Sequence, residues 1–143
     1  MSVDAILKTK GSNVFTIRPE HSLADASTLL SAKKVGVAVV CDSRGTVQGV
    51  LSERDIVKAL ATYGKGALDL SVRNIMSSPA VTCSLADNAK KILEIMTERR
   101  IRHLPVIENG ELLGIVSIGD AVNFRLKEAQ AEVGVLRDYA VTR

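Results

Sequence analysis

The sequence is poor in the residues on which nucleic-acid binding depends. It contains no Trp, and aromatic residues make up 3% of the chain, whereas proteins that bind single-stranded nucleic acid stack its bases on exposed aromatic rings. Its 19 basic and 16 acidic residues give a net charge of +3. This excess is small and spread along the chain, so it predicts neither a nucleic-acid arm nor a polybasic membrane segment.

Long apolar runs and clusters of metal ligands are also missing. No apolar run approaches the roughly 20 residues that cross a membrane, and the N-terminal MSVDAILKTKGSN lacks the apolar stretch of a signal peptide. Cys41 and Cys83 stand in apolar, strand-like stretches typical of core cysteines in a reducing compartment. His21 and His103 are isolated, which gives little support to a metal site. The sequence therefore predicts a soluble, cytoplasmic protein with no metal site and no membrane segment.

The common catalytic motifs are absent as well. The chain has no P-loop and no G-x-G-x-x-G, and no motif places a histidine beside Ser52 or Ser117 to activate it. The sequence therefore predicts no catalytic residues and a protein that is not an enzyme.

The chain is rich in apolar residues, and it contains an internal repeat. Apolar residues make up 46% of the sequence, enough to bury a sizeable core. The trio Gly49, Ser52 and Asp55 recurs 65 residues later as Gly114, Ser117 and Asp120. Such self-similarity indicates two copies of one structural unit.

Each copy has the pattern strand, helix, strand, strand, helix. The matching segments are 14–17 and 80–83, 22–34 and 88–100, 35–41 and 101–107, and 46–52 and 111–117, each copy ending in a second helix. Turn residues at 42–45 and at 108–110 predict a hairpin in each copy. A unit of about 60 residues buries too little surface alone. We therefore expect an α/β (α+β) fold in which two β-α-β-β-α repeats pack with a local pseudo-twofold axis.

The Ser-x-x-Asp pairs at 52–55 and 117–120 have two interpretations. As a capping box, Ser and Asp would bond reciprocally to backbone N–H groups where a helix begins. As a binding site, Asp would accept hydrogen bonds from ribose hydroxyls, as acidic residues do in dinucleotide folds. The residues alone leave both interpretations open.

Two long stretches carry a resemblance to a known family. VGVAVVCDSRGTVQGVLSERD (35–55) and RRIRHLPVIENGELLGIVSIGD (99–120) are similar to the two halves of the tandem cystathionine-beta-synthase (CBS) domain pair, or Bateman module. The resemblance covers roughly residues 9 to 127, and the chain looks like a stand-alone bacterial member. The implied division is 9–64 for repeat 1, 65–78 for a linker, 79–127 for repeat 2 and 128–143 for a C-terminal helical extension.

The resemblance implies a regulatory function. CBS pairs bind adenosyl compounds in clefts between their repeats, so the expected ligand is an adenine nucleotide, AMP first, with ADP, ATP, NADH or S-adenosylmethionine as the others. It also implies a disc-shaped homodimer and an effector protein that the sequence does not name. The alternative is a structural or protein-interaction module without functional ligand binding.

Site residues follow from the resemblance position by position. Asp120 and Asp55 would bind ribose, and Ser117 and Ser52 would lie near phosphate. Arg102 and His103 would bind phosphate, the alternative being a solvated strand end with a structural histidine. Repeat 1 has Gly36 and Val37 at those positions, so its cleft is weaker for phosphate unless Arg54 compensates.

The remaining candidates surround the base. Their backbone or small side chains would contact adenine, although apolar strand residues are core residues by default. They are Asn13, Val14, Thr16, Ala80, Val81, Thr82, Pro105 and Ala38.

The residue patterns at both chain ends predict helices. Val122, Leu126, Ala129 and Val133 recur at helical spacing within 121–143, with Leu136 and Tyr139 extending the pattern. Such a helix either folds onto its own domain or contributes to a dimer, which we favour. The helical segment 3–11 could cross to a partner in the same way.

Overall fold

The computed structural model describes the backbone of residues 2–141 and the side chains of residues 2–136. The helices and strands in chain order are α1 (Val3–Lys10), β1 (Thr16–Ile17), α2 (Leu23–Lys33), β2 (Val37–Cys41), β3 (Val47–Ser52), α3 (Glu53–Tyr63), a 3₁₀ helix (Gly64–Asp69), α4 (Val72–Ile75), α5 (Ala89–Arg99), β4 (His103–Glu108), β5 (Glu111–Ser117) and α6 (Ile118–Val141). No helix within the described residues is long and apolar enough to cross a membrane.

The two repeats form two small sheets. In repeat 1, β2 lies between β1, which is parallel to it, and β3, which is antiparallel. In repeat 2, β4 and β5 form an antiparallel pair. All five residues of β2 are buried, as expected for a strand covered on both faces. The predicted α/β fold of two similar repeats is therefore confirmed.

The strand expected at 80–83 is reduced to a single parallel bridge between Cys83 and Val106. Cys83 exchanges backbone bonds with the Pro105 carbonyl and the Ile107 amide, at 3.0 and 2.9 Å. The next bond of a parallel ladder would need an N–H at position 105, and proline has none. In repeat 1 the equivalent bond exists, since the Val39 amide donates to the Phe15 carbonyl at 2.9 Å. Pro105 therefore ends the strand before it reaches Val81.

Both predicted hairpin turns form. Asn109 and Gly110 have φ values of 51° and 78°, which suits the tight turn that joins two antiparallel strands. In repeat 1, the Asp42 carboxylate accepts hydrogen bonds from the amides of Arg44 and Thr46, both at 2.9 Å. Local turn chemistry thus sets both connections.

The helices begin and end where their sequences indicate. Ser22 caps α2 through the Asp25 amide, and Asn88 caps α5 through the Lys91 amide. Each of these helices ends at a basic residue in the left-handed conformation, Lys34 in α2 and Arg100 in α5. Their apolar stripes face the core of their own repeat.

Each repeat is completed by a short helix that precedes the other repeat's first strand. The α1 residues Val3, Ile6 and Leu7 pack in the core of repeat 2, and α4 contributes Val72 to the core of repeat 1. The repeat 2 core also contains Cys83, Ile92, Met96, Leu104, Val106, Val116 and Ala121. The repeat 1 core also contains Ile17, Leu23, Ala26, Leu30, Ala38, Val40, Leu51, Ala59 and Ala67. Helix α1 therefore packs on repeat 2 of its own chain.

The backbone anchors of the two helices are equivalent. Val3 and Asp4 donate to the carbonyls of Asp87 and Leu85, while Val72 and Arg73 donate to those of His21 and Pro19. After each helix the chain crosses to the opposite sheet. We call residues 11–15 and 76–82 the crossing segments.

Gly49 is required by the close approach of a crossing segment. A Cβ at Gly49 would lie 2.6 Å from the backbone oxygen of Ser77, which itself bonds to the Val50 amide at 3.0 Å. At the equivalent Gly114, the nearest atom is a terminal carbon of Leu7 at 3.0 Å, and that side chain can rotate away. The crossing segment lies farther from Gly114, with the Ser12 Cα 3.6 Å from the Cβ position, so the requirement for glycine is stricter at Gly49.

Helix α6 is continuous from Ile118 to Val141, so it runs through the implied boundary at 127/128. Its first turns pack on repeat 2 through Ala121 and Phe124. Val122, Leu126 and Val133 are 43%, 57% and 49% exposed, and Leu136 is exposed too. The side chain of Tyr139 lies outside the described residues.

We expect Gly49→Ala to lower the free energy of unfolding by about 1–3 kcal/mol, because the methyl group would meet backbone that cannot rotate away. Urea unfolding measures the change. Gly66→Ala is the matched control, since no atom lies within 4 Å of its Cβ position and it should be neutral or slightly stabilising. Equal effects of the two substitutions would contradict the close-approach argument.

Ile6→Ala should cost about 2–5 kcal/mol of unfolding free energy, because it opens a cavity in the repeat 2 core. Lys8→Ala, on the exposed side of the same helix, should cost less than about 0.5 kcal/mol. Urea unfolding of both variants tests the assignment of α1 to this core. A loss below about 1 kcal/mol for Ile6→Ala would show that α1 is not part of it.

Candidate functional site

The site in repeat 2 lies at the junction of β5 and α6. Asp120 Oδ2 accepts the Ser117 amide at 2.8 Å, and Ser117 Oγ accepts the Asp120 amide at 3.0 Å. This is the reciprocal capping box that the spacing predicts. It leaves Asp120 Oδ1 without a hydrogen bond from any described residue.

Repeat 1 contains the same box. Asp55 Oδ2 accepts the Ser52 amide at 2.9 Å and the Ser52 hydroxyl at 3.1 Å, and the Asp55 amide donates to Ser52 Oγ at 3.3 Å. Its second oxygen, Oδ1, accepts the Ser77 hydroxyl at 3.1 Å. Both oxygens of Asp55 are therefore occupied, one by its own box and one by the crossing segment.

Lys10 is a site residue that the sequence did not reveal. Its ammonium donates to Asp120 Oδ2 at 2.7 Å and to the Ile115 carbonyl at 2.9 Å. Partial burial favours a raised pKa for Asp120, but Lys10 and the Ser117 amide outweigh it and hold that pKa below its ordinary value. No local pattern marks Lys10, because its partners lie more than 100 positions away in the chain.

Arg102 and His103 stand where β4 begins, beside the junction of β5 and α6. His103 pairs with Ser117 across the β4–β5 ladder, and the Arg102 carbonyl accepts the Ile118 amide at 2.8 Å. Burial, then the positive charges of Lys10 and Arg102, lower the pKa of His103, although the carboxylates of Asp120 and Glu53 oppose them. The structure thus brings Asp120, Ser117, Arg102 and His103 together; we call these four residues and Lys10 the Asp120 cluster.

The corresponding place in repeat 1 lacks basic residues at the strand start. The Gly36 carbonyl accepts the Glu53 amide at 2.9 Å, and a Cβ at Gly36 would lie 3.0 Å from the Glu53 carboxylate. Arg54 is exposed on the first turn of α3 and forms no ion pair with a described residue. The helix after the last strand therefore begins with the acidic Glu53 in repeat 1 and with the apolar Ile118 in repeat 2.

The crossing segments hold the candidates for base binding. The first passes β5 of repeat 2, with the Ser12 Cα 3.6 Å from the Cβ position of Gly114, and continues into Asn13 and Val14. The second pairs at Ser77 with β3 of repeat 1 and continues into Ala80, Val81 and Thr82. Each repeat's Ser-Asp box therefore faces the segment that leads into the other repeat's sheet.

Two further candidates are core residues. Ala38 is fully buried in the repeat 1 core, and Pro105 is buried within β4. Because Pro105 donates no hydrogen bond, the Val81 carbonyl accepts none from the described residues. Pro105 therefore leaves the Val81 carbonyl, one of the candidate base-binding groups, without a backbone donor.

Two cavities lie elsewhere. One of about 760 Å³ lies between the two hairpin turns and includes Val14 and Thr16 in its walls. The other, of about 520 Å³, lies between α2 and α3 and includes Gly36 and Glu53. Neither is lined by Asp55 or Asp120.

The described part of the chain shows neither a reactive cysteine nor a metal site. Cys41 and Cys83 are buried and unpaired, and burial raises the pKa of the Cys83 thiol to about 12, so it is unreactive at neutral pH. No group of three or more His, Cys, Asp or Glu side chains among the described residues is placed to hold a metal ion.

Comparison with known proteins gives consistent matches. A protein of Agrobacterium tumefaciens that contains CBS domains is 44% identical, with a TM-score of 0.84 over 87% of this chain and 92% of that one. A CBS-domain protein of Pyrobaculum aerophilum in complex with AMP is 29% identical, with a TM-score of 0.74 over 84% and 89%. An uncharacterized 17.7 kDa protein of Acidianus ambivalens is 35% identical over 82% of this chain and 69% of its own length.

The family model named CBS domain matches twice, at residues 5–62 and 72–127. Each match overlaps one of the two repeats and also includes residues of the short helix before it, α1 or α4. Together they cover most of the chain, which therefore belongs to the CBS-domain family.

Proposed function

We infer that this protein is a regulatory module that binds an adenine nucleotide at the Asp120 cluster. The observation that carries this proposal is that Asp120, Arg102 and His103 lie together where α6 begins. In this proposal Asp120 accepts hydrogen bonds from ribose, and Arg102 and His103 donate to phosphate. The similar Pyrobaculum protein is in complex with AMP, which supports AMP as the first ligand to test. No chemical step is proposed, and the module acts by binding.

Asp120 is suited to ribose because one of its oxygens stays unbonded. Oδ2 is committed to the capping box and Lys10, whereas Oδ1 faces no donor among the described residues. A ribose diol offers two O–H donors. The capping box and ribose binding are therefore compatible, because the box fixes the carboxylate that the sugar would meet.

Phosphate would lie beside Arg102, His103 and the first turn of α6. Arg102 supplies a fork of N–H donors, and the start of a helix adds a partial positive charge. His103 has a lowered pKa, so it is neutral at physiological pH and donates one ring N–H. An anion beside it would raise that pKa again and strengthen the contact.

Asp55 and Ser52 mark a second, weaker site in repeat 1. The Val81 carbonyl is available there as an acceptor for the amino group of adenine. Gly36 supplies no charge, and Glu53 opposes phosphate. We infer that the Asp120 cluster fills first.

We also infer that the module acts as a homodimer through α3 and α6. Val57 and Val122 occupy equivalent places, each four residues after its helix begins, and are 63% and 43% exposed. Leu126 extends this surface. Two related apolar helices suit an isologous interface, in which both copies present the same patch, and a ligand would signal by favouring one dimer geometry.

Ligand binding should raise the melting temperature. A ligand at 100 times its Kd adds about 2.7 kcal/mol of stability, which corresponds to about 5 °C or more for a chain of this size. AMP, ADP, ATP, NADH and S-adenosylmethionine are compared by thermal unfolding. We expect Asp120→Ala to reduce the shift to the part that the weaker Asp55 site supplies, while lowering intrinsic stability by about 1 kcal/mol through loss of the cap.

Asn88→Ala is the matched control, because Asn88 caps α5 through the Lys91 amide at 2.8 Å away from the cluster. It should cost a similar amount of stability and leave the ligand shift intact. If none of the five ligands moves the melting temperature of the unmodified protein, the sensor proposal is wrong and the interaction module remains.

Val122→Glu should dissociate the homodimer. Burying an unpaired carboxylate costs several kcal/mol, so we expect the dimer Kd to rise about 100-fold or more. Sedimentation equilibrium measures it, with Thr97→Glu on the exposed side of α5 as the control. A monomeric unmodified protein, or a dimer that tolerates Val122→Glu, would contradict this interface.

A further inference from the structure

Lys10 is held in the Asp120 cluster by two specific contacts. Its ammonium reaches both the Asp120 carboxylate and the Ile115 carbonyl, and the side chains of Lys10 and Asp120 are only 31% and 23% exposed. An ammonium has three N–H donors. The third therefore has no acceptor among the described residues.

Lys10 lies among other charged groups. Lys10 and Arg102 both act to lower the pKa of His103, whereas the carboxylates of Asp120 and Glu53 act to raise it, so these groups share one small region. Within repeat 2 the cations there are Lys10 and Arg102, and the carboxylate is Asp120. A phosphate group beside Lys10 would gain from both cations.

Repeat 1 has no counterpart of Lys10. Leu7 and Met76 are equivalent, because they contact the equivalent glycines Gly114 and Gly49. From Leu7 to Thr16 the chain has three more residues than from Met76 to the equivalent Thr82. Helix α1 accordingly has eight residues and α4 has four, and Lys10 lies in this extra length.

The neighbour of Asp55 differs in consequence. Where the Lys10 ammonium meets Asp120, the neutral hydroxyl of Ser77 meets Asp55 at 3.1 Å. The two sites therefore share a ribose acceptor and differ in charge. Arg54 does not restore the balance, because the adjacent Glu53 carries the opposite charge.

We propose that Lys10 is a ligand-binding residue that makes the Asp120 site select phosphorylated adenosyl ligands over those without phosphate. This proposal rests on the function inferred above and assigns a ligand class to one of its two sites. Lys10 keeps its contact with Asp120 Oδ2, while ribose meets Oδ1. The third N–H of the ammonium then donates to the phosphate of the ligand, a contact that a ligand without phosphate cannot make.

The test compares AMP with adenosine by isothermal titration calorimetry. It uses the full chain with Asp55→Ala, so that only the Asp120 site is measured. We expect Lys10→Met to weaken AMP binding about tenfold or more, as expected for loss of a charge-assisted hydrogen bond. Adenosine should bind about equally well, because it has no phosphate for Lys10 to meet.

Two further variants make the result specific. Lys8→Met removes a charge from the same helix, where Lys8 pairs only with Asp4, and should leave both affinities unchanged. Lys10→Arg keeps the charge and should retain the preference for AMP. The unfolding midpoint of each variant, measured in urea, confirms that it is folded.

Each outcome decides the question. If Lys10→Met weakens AMP and adenosine equally, or changes neither, the selective role is overturned while nucleotide binding stands. If the protein with an intact Lys10 binds neither compound, the proposed function fails, and the role of Lys10 fails with it. A selective loss of AMP binding, absent in Lys8→Met, supports the proposal.

Discussion

The structure depends on an exchange of short helices between the repeats. Neither repeat has a complete core of its own, because α1 completes repeat 2 and α4 completes repeat 1. Each helix precedes a crossing segment that must pass close against a strand of the repeat it leaves, and Gly49 leaves room for the Ser77 backbone there. This exchange joins two units that are each too small to be stable alone, and it also brings residues from distant parts of the chain to each Ser-Asp box.

The Ser-x-x-Asp box serves structure and binding together. In both repeats it satisfies backbone N–H groups where a helix begins, which fixes the carboxylate in place. A ligand site gains from such fixed groups, since less ordering is lost on binding. The two boxes then diverge through their neighbours, because Lys10 reaches Asp120 and Ser77 reaches Asp55. The inferred difference between the two sites arises from this single contrast.

Much of the local structure was predictable because its causes are local. The hairpin at Asn109 and Gly110 follows from residues that accept positive φ, and the caps at Ser22 and Asn88 follow from their side-chain oxygens. The sequence also contains the cause of one departure from the repeat. Pro105 has no N–H, so the segment 80–82 does not pair as its repeat 1 equivalent does. The approach of His103 to Ser117 was predictable because the hairpin at 108–110 pairs their strands.

By itself, the sequence determined the twofold repeat, the hairpin in each repeat and the capping box at each strand-to-helix junction. Those features depend on periodicity and on interactions within about four residues. Only the tertiary structure decided that α1 belongs to repeat 2, that Gly49 must admit a crossing backbone, and that Lys10 pairs with Asp120. Such contacts join residues that are distant in the chain, and no local pattern encodes them because they exist only once both cores have formed.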